Sequence, residues 1–343
     1  MTSGGHFLNL TEAQRLTQEI VVPGVFQEDI RRGGLLTSFP IWQFVGKTAQ
    51  WRRQLTQQSA SVTTLGAGLV WSAETAYSPQ EVALKQIYKQ TKLDNFVRSV
   101  YGTFNNYAAI QVADDQMAMM NTMEDLFLYG DTTYSSGNLE FDGLHALAQA
   151  SPTPLGETAG VLDIDATEAG LSLGSMRNIE RHMKHGIDFW LFPYEIADRL
   201  DAYVQENGVS TFLASQINIT MDDLGKQVRM WNGIPIIRSD HLVAEEANTG
   251  VGSDARAKHS SGDQQFSVFA INMGNVALQE PGVTLLLGGD EIAPGQPWMF
   301  TPFEKLESSD AKGIRHMSYL ALADGSSMAL GRIYDIENSA IIA

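Results

Sequence analysis

The chain has no cysteine among its 343 residues, which excludes disulfide staples, zinc–thiolate centres and thiol nucleophiles. It also lacks an apolar run of the eighteen or more residues that a membrane-spanning helix needs, so no membrane partner is expected. Positive charge is scarce: 23 Lys and Arg stand against 40 Asp and Glu, for a net charge of −17. Without a dense Lys/Arg run, such a surface repels a phosphate backbone, and sequence-specific nucleic-acid binding is not expected. The opening MTSGGHFLNLTEAQ lacks the basic-then-apolar pattern of a secretory signal. What remains is a globular composition, 43% hydrophobic and 18% charged, on a chain longer than one average domain.

Along the chain, Thr11 and Gln14 suit a capping box for a short helix broken at Pro23 and Gly24. The first forty-odd residues read as an arm without a core of its own. From Lys47 to Pro79, a Gln/Ser/Thr-rich stretch runs into LVWSAETAYSP and reads as a long hairpin, with residues 85 to 98 as its returning strand and a short helical piece. A hairpin with no core exposes edges that invite another subunit. Residues 107 to 129 give the longest helix, with Ile110, Ala113, Met117, Met120, Met123 and Phe127 forming an apolar stripe and Asp114 and Asp115 off it. Gly130 stops it. Beyond lie a helix over SMRNIERHMKHG, a buried strand IDFWLF, a helix opened by Pro193, and the strands IPIIRS, FSVFAI and VTLLL. Two β-rich runs joined at Asp324 and Gly325 read as a C-terminal hairpin.

Several stretches carry chemistry on their face. GLSLG, residues 170 to 174, matches the G-x-S-x-G elbow and would make Ser172 a nucleophile, but an elbow needs a strand before it and a helix after. The preceding LDIDATEA reads as polar and helix-initiating, so the context is expected to fail. His182 and His185, with Glu180 nearby, could be half a metal site, yet a helical face rich in Arg, Lys and His reads as solvated. LGGDEIAPG lacks the Lys-Ser/Thr of a phosphate loop and sets Asp290 and Glu291 where phosphate would be repelled. Glu74, between Trp71 and Tyr77, would need a second carboxylate to act as a general acid, with Asp131 or Asp142 as partner. An isolated acid on a strand reads instead as solvated or ion-paired, and RSDHL (238 to 242) reads the same way. No catalytic, cofactor or metal residue is assigned, and the chain is expected not to be an enzyme.

The order of the pieces resembles the major capsid proteins of tailed bacteriophages with the Hong Kong 97-like fold. LVWSAETAYSP is similar to the family's extended loop, LFLYGDTTYSSGNLEFDGL to the Gly-Asp that ends its spine helix, FWLFPYEIADRL to its strand-Pro-helix unit, WNGIPIIRSDHL to its G-x-P element, and ALADGSSMALGRI to its closing strand. The resemblance implies an α+β fold with an N-terminal arm (1–44), an extended loop (45–84), a peripheral domain with the spine helix (85–141), an axial domain (142–300) and returning peripheral strands (301–343). Trp51, Trp71, Glu74 and Tyr77 on the extended loop would then contact a neighbouring subunit.

The implied function is that of a capsid subunit, assembling into pentamers and hexamers of an icosahedral shell around double-stranded DNA. The shell would form in the host cytoplasm and end as the virion capsid, it would need a separate scaffold or prior processing, and portal and cement proteins are candidate further partners. Nothing before Thr11 resembles the helical scaffolding segment of some members, and no motif marks Lys47 as a cross-linking residue. An encapsulin-type nanocompartment shell is the nearest alternative, and a hydrolase using Ser172 or Glu74 is the alternative of another class.

Overall fold

The computed structural model describes residues 35–54, 60–68, 77–96, 107–132, 139–149, 161–206, 217–221, 227–245, 265–289, 298–306 and 310–342. The Thr11 capping box, Trp71, Glu74, and Asp290 with Glu291 lie outside them. The fold is α+β. One sheet of five strands holds β1 (Ile41–Phe44), β4 (Lys85–Asp94), β11 (Val283–Gly288), β12 (Met299–Lys305) and β13 (Ala311–Asp324). A second has seven strands in the order β5 (Asp163–Ala169), β14 (Leu330–Glu337), β10 (Gln265–Ile271), β6 (Phe189–Phe192), β9 (Ile234–Arg238), β8 (Gln227–Trp231) and β7 (Ile217–Met221). The hairpin of β2 (Thr48–Gln54) and β3 (Tyr77–Ala83) stands apart as a two-stranded sheet.

Helix α1 spans Tyr107–Tyr129 and ends where expected. A Cβ on Gly130 would lie 2.4 Å from the carbonyls of Leu126 and Phe141, so only glycine lets the chain turn back there. Its buried residues, however, are Asp115, Met119, Met123, Glu124, Phe127, Leu128 and Tyr129, while Ala113 is exposed. The helix is rotated from the expected stripe because its buried acids have partners. Asp115 accepts hydrogen bonds from Thr91 on β4 (2.8 Å) and Gln111 (3.3 Å), and Glu124 meets His241 at 2.7 Å. Burial lowers the pKa of His316, on β13, from its usual range, with Asp115 pulling it back up.

The central strands β6 and β10 are buried on both faces, and alternation deals their residues to two cores. Phe189, Leu191, Phe269 and Ile271 join α1 and the five-stranded sheet in one core. Trp190, Phe192, Phe266, Val268 and Ala270 face the other, beneath helices α3 (Leu173–His182) and α4 (Tyr194–Glu206). Each fully buried aromatic here contributes about 1.5–3 kcal/mol. The short helix α2 (Leu144–Gln149) follows the turn after α1, and Leu144 and Ala148 join the first core.

Three expectations need correction. Residues 85 to 94 are not the hairpin's returning strand: that strand is β3, and β4 pairs instead with β13 from Lys85 opposite Leu320 to Asp94 opposite Ala311. The runs around Asp324 and Gly325 do not form a hairpin. β13 pairs with β4, β11 and β12, whereas β14 crosses into the seven-stranded sheet beside β10 and β5. Asp324 still pairs with Val283, the Gly325 N–H donates to Gly282, and the chain turns only at Ser326–Ala329, because buried apolar partners on both sides outweigh local pairing. LDIDATEA forms strand β5 rather than a helix start. Its irregular Thr167 and Glu168, both at positive φ, are matched by Asp335 at positive φ on β14, whose carboxylate accepts from the Glu168 N–H.

Candidate assembly surfaces

The β2–β3 hairpin pairs Thr48 with Ala83 through to Gln54 with Tyr77. Opposite residues share a face in an antiparallel pair, so Ala49, Trp51 and Arg53 line the inward face with Val82, Gln80 and Ser78. Gln50, Arg52 and Gln54 share the outward face with Glu81, Pro79 and Tyr77. Pro79 sits within β3 rather than ending it, which an edge strand tolerates.

The inward face is anchored to the subunit itself. Trp51 is half-buried against the first core. The Arg53 guanidinium lies 6.0 Å from the Trp51 ring and donates to both the carboxylate and the backbone carbonyl of Asp324. Burial pushes the Asp324 carboxyl above its usual range, and the Arg53 charge and hydrogen bond pull it back. A cleft of about 470 Å³ separates the hairpin base from the 276–281 turn, with Trp42, Trp51, Arg52 and Glu280 among its walls.

The outward face and the loop beyond it are open. Tyr77 is 61% exposed, and in the loop at 60–68 Val62 and Leu65 are exposed to water in full. That loop turns at Gly66, φ +88°, where the Ala67 N–H donates to the Thr64 carbonyl at 3.1 Å. The four expected contact residues therefore separate. Tyr77 stands on an open face, Trp51 packs on its own subunit, and Trp71 and Glu74 lie outside the described residues.

Ser172 has the strand before it and the helix after it that its motif requires, contrary to expectation. The rest of a nucleophile site is not there among the described residues. Ser172 is an ordinary extended N-cap, φ −95° and ψ 127°, rather than a strained elbow. His182 lies ten residues along the same helix, roughly 15 Å away, with its Nδ1 2.7 Å from the Asn178 carbonyl oxygen. No histidine or carboxylate lines the recess beside Ser172. His185 lies beyond the end of α3, and Asp142 accepts from the backbone and hydroxyl of Thr132.

A buried polar chain that no motif announced ties the two cores together. Arg332 on β14 holds Asp163 on β5 through two hydrogen bonds, at 2.7 and 3.0 Å. Its Nη1 lies 3.0 Å from His145 Nδ1. A guanidinium can only donate, so Nδ1 accepts and the imidazole proton sits on Nε2. That nitrogen is 3.0 Å from Glu245 Oε1, and the same carboxylate accepts from Tyr129 (3.2 Å) and Ser267 (2.8 Å). Burial and the Glu245 charge push the Tyr129 phenol well above its usual range, keeping it a donor. Partners 22 to 187 residues apart leave no spacing for a sequence reading to find.

No protein-family profile and no curated protein matches the chain. Solved structures do. The holo-SrpI encapsulin complex from Synechococcus elongatus PCC 7942 is similar with a TM-score of 0.63 at 13% identity, over 98% of this chain and 99% of that one. The capsid asymmetric unit of cyanophage A-1(L) is similar with a TM-score of 0.63 at 13% identity, over 94% and 98%. The capsid of the native GTA particle gives 0.54 at 11% identity, over 92% and 95%. The likeness spans nearly the whole of both chains, and this chain has the Hong Kong 97-like fold in which phage capsids and an encapsulin shell are built.

Proposed function

We propose that this protein is a shell-forming structural subunit, the major capsid protein of a tailed phage, assembling into the pentamers and hexamers of an icosahedral shell around double-stranded DNA. The observation that carries this reading is the end-to-end likeness to capsid and shell subunits. The open hairpin agrees with it: a polar two-stranded sheet with exposed Tyr77, Val62 and Leu65 suits a loop laid over a neighbour, where aromatic anchors dominate binding. Under this reading residues 1–44 are the arm, 45–84 the extended loop, 85–141 the peripheral domain, and 142–300 the axial domain. The seven-stranded sheet draws its strand β14 from the final segment 301–343, and β11 from 142–300 serves the five-stranded sheet. The assembled particle is the virion capsid, formed in the host cytoplasm with a separate scaffold, portal and cement proteins.

A second reading, an encapsulin-type compartment, is favoured by the SrpI shell, which matches as well as the cyanophage capsid does. Expression followed by negative-stain microscopy and measurement of nucleic acid in purified particles separates them. Uniform shells that package DNA in the presence of a packaging system support the capsid. Shells that retain a protein cargo and no DNA support the compartment, and a monomer under every assembly condition overturns both.

A further inference from the structure

Helices α3 and α4 cover the same face of the seven-stranded sheet at opposite ends. Strands β14, β6 and β9 run in one direction. α3 lies over their starts: Ile179 packs where a Cβ on Gly331 would be 2.7 Å away, Glu180 accepts from Asn232 at 3.2 Å, and Arg177 lies 5.8 Å from the Trp231 ring. α4 lies over their ends, with Asp198 3.4 Å from Arg238 and Arg199 donating to Asn338. The two ends carry opposite charge. Arg177 and Arg181 are one turn apart on the exposed side of α3, and Lys184 stands exposed in the turn just past the helix end. The two arginines border a recess of about 530 Å³ that Ser172, Ser175 and Asn178 also line. On α4, Glu195, Asp198 and Glu206 fall on one exposed side, where the exposed Arg199 is turned to Asn338, and Asp198 keeps 71% of its side chain open despite Arg238.

We propose that the Arg177 and Arg181 face of α3, with Lys184 in the turn after it, docks the Glu195, Asp198 and Glu206 stripe of α4 on a second copy of this chain, making the head-to-tail contact of a capsomer ring. This rests on the shell-subunit reading above. Two unlike ends on one layer satisfy a heterologous contact, which closes into rings, while like ends brought together repel. In a chain with a net charge of −17, a basic face without exposed acids on its stripe is the natural seat for the acids of a sister copy. The Arg side chains also supply apolar stems and planar forks that an interface core uses.

The test is a charge swap on the full chain, read as the fraction assembled into rings or shells by sedimentation and microscopy. R177E/R181E and E195R/D198R should each lower that fraction about tenfold or more, and the quadruple variant should bring it back to within about twofold of wild type. Recovery in the quadruple variant also shows that the substituted chains fold. Assembly of either double variant at wild-type level overturns the docking and leaves the shell reading standing, and loss in both without recovery in the combination overturns it too. A wild-type chain that never assembles overturns both.

Discussion

The hairpin and the junction between the two sheets use polar residues in opposite ways. On the hairpin, Gln50, Arg52, Gln54, Glu81 and Tyr77 face water, while Ala49, Trp51 and Val82 pack on the first core and Arg53 holds Asp324. At the junction, Asp163, Arg332, His145, Glu245, Tyr129 and Ser267 are linked in the interior by hydrogen bonds and close ionic contacts. Exposed polar groups contribute little to the fold and remain available to a partner; buried ones must be matched, and so specify a single arrangement of the two sheets. The junction therefore fixes the architecture, and the hairpin presents the surface that the proposed shell contact would use.

The comparison breaks most sharply at the junction. Arg332→Met leaves half-buried Asp163 and buried His145 without their shared partner and is expected to cost about 3–4 kcal/mol, read as a drop in the urea midpoint of the unassembled subunit. A loss below about 1 kcal/mol would mean that the chain of contacts is not holding the two sheets. Arg53→Met comes next, at roughly 2–3 kcal/mol near neutral pH.

Its pH profile sharpens the point. Asp324 has a folded pKa raised above the free value of 3.8. Its proton-linked stabilisation is complete below that value and is lost as pH rises through the folded pKa. Removing Arg53 raises that pKa further, so the gap between variant and wild type should widen from acid to neutral pH in thermal melts. A constant gap across that range would show that Arg53 acts by packing alone.

Smaller still is the effect on folding of deleting residues 55–76, between the paired strands in sequence. Because Trp51 and Arg53 are retained, the subunit should keep its urea midpoint, while shells disappear; normal-sized particles from this deletion would remove the hairpin from assembly. Tyr77→Ala is the mildest change. Subunit stability should move by less than about 0.5 kcal/mol, yet the yield of shells should fall, and an unchanged yield would leave Tyr77 an ordinary surface residue.

Much of the secondary structure was legible because local signals were consistent. The spine helix keeps its bounds at Tyr107 and Tyr129, the buried run FWLF is a strand, and Pro193 immediately precedes α4. Where tertiary partners outweighed local preference, the reading failed. The α1 stripe rotated to bury Asp115 and Glu124, and polar LDIDATEA became an edge strand because β14 offered it parallel hydrogen bonds. Trp51 shows the same limit for the site: an aromatic on a strand looks alike whether it anchors a neighbour or its own core.

By itself the sequence determined the periodicities, the glycine and proline stops, the acidic balance and the absence of thiol chemistry, all of which depend on neighbours within a few residues. Only the tertiary structure decided that β13 and β14 part into different sheets, that His145 is held as the Nε2–H tautomer between Arg332 and Glu245, and that Arg53 anchors the hairpin to Asp324. Those outcomes turn on which distant groups meet in a low-dielectric interior, where an unmatched polar atom is costly and a matched one fixes the geometry.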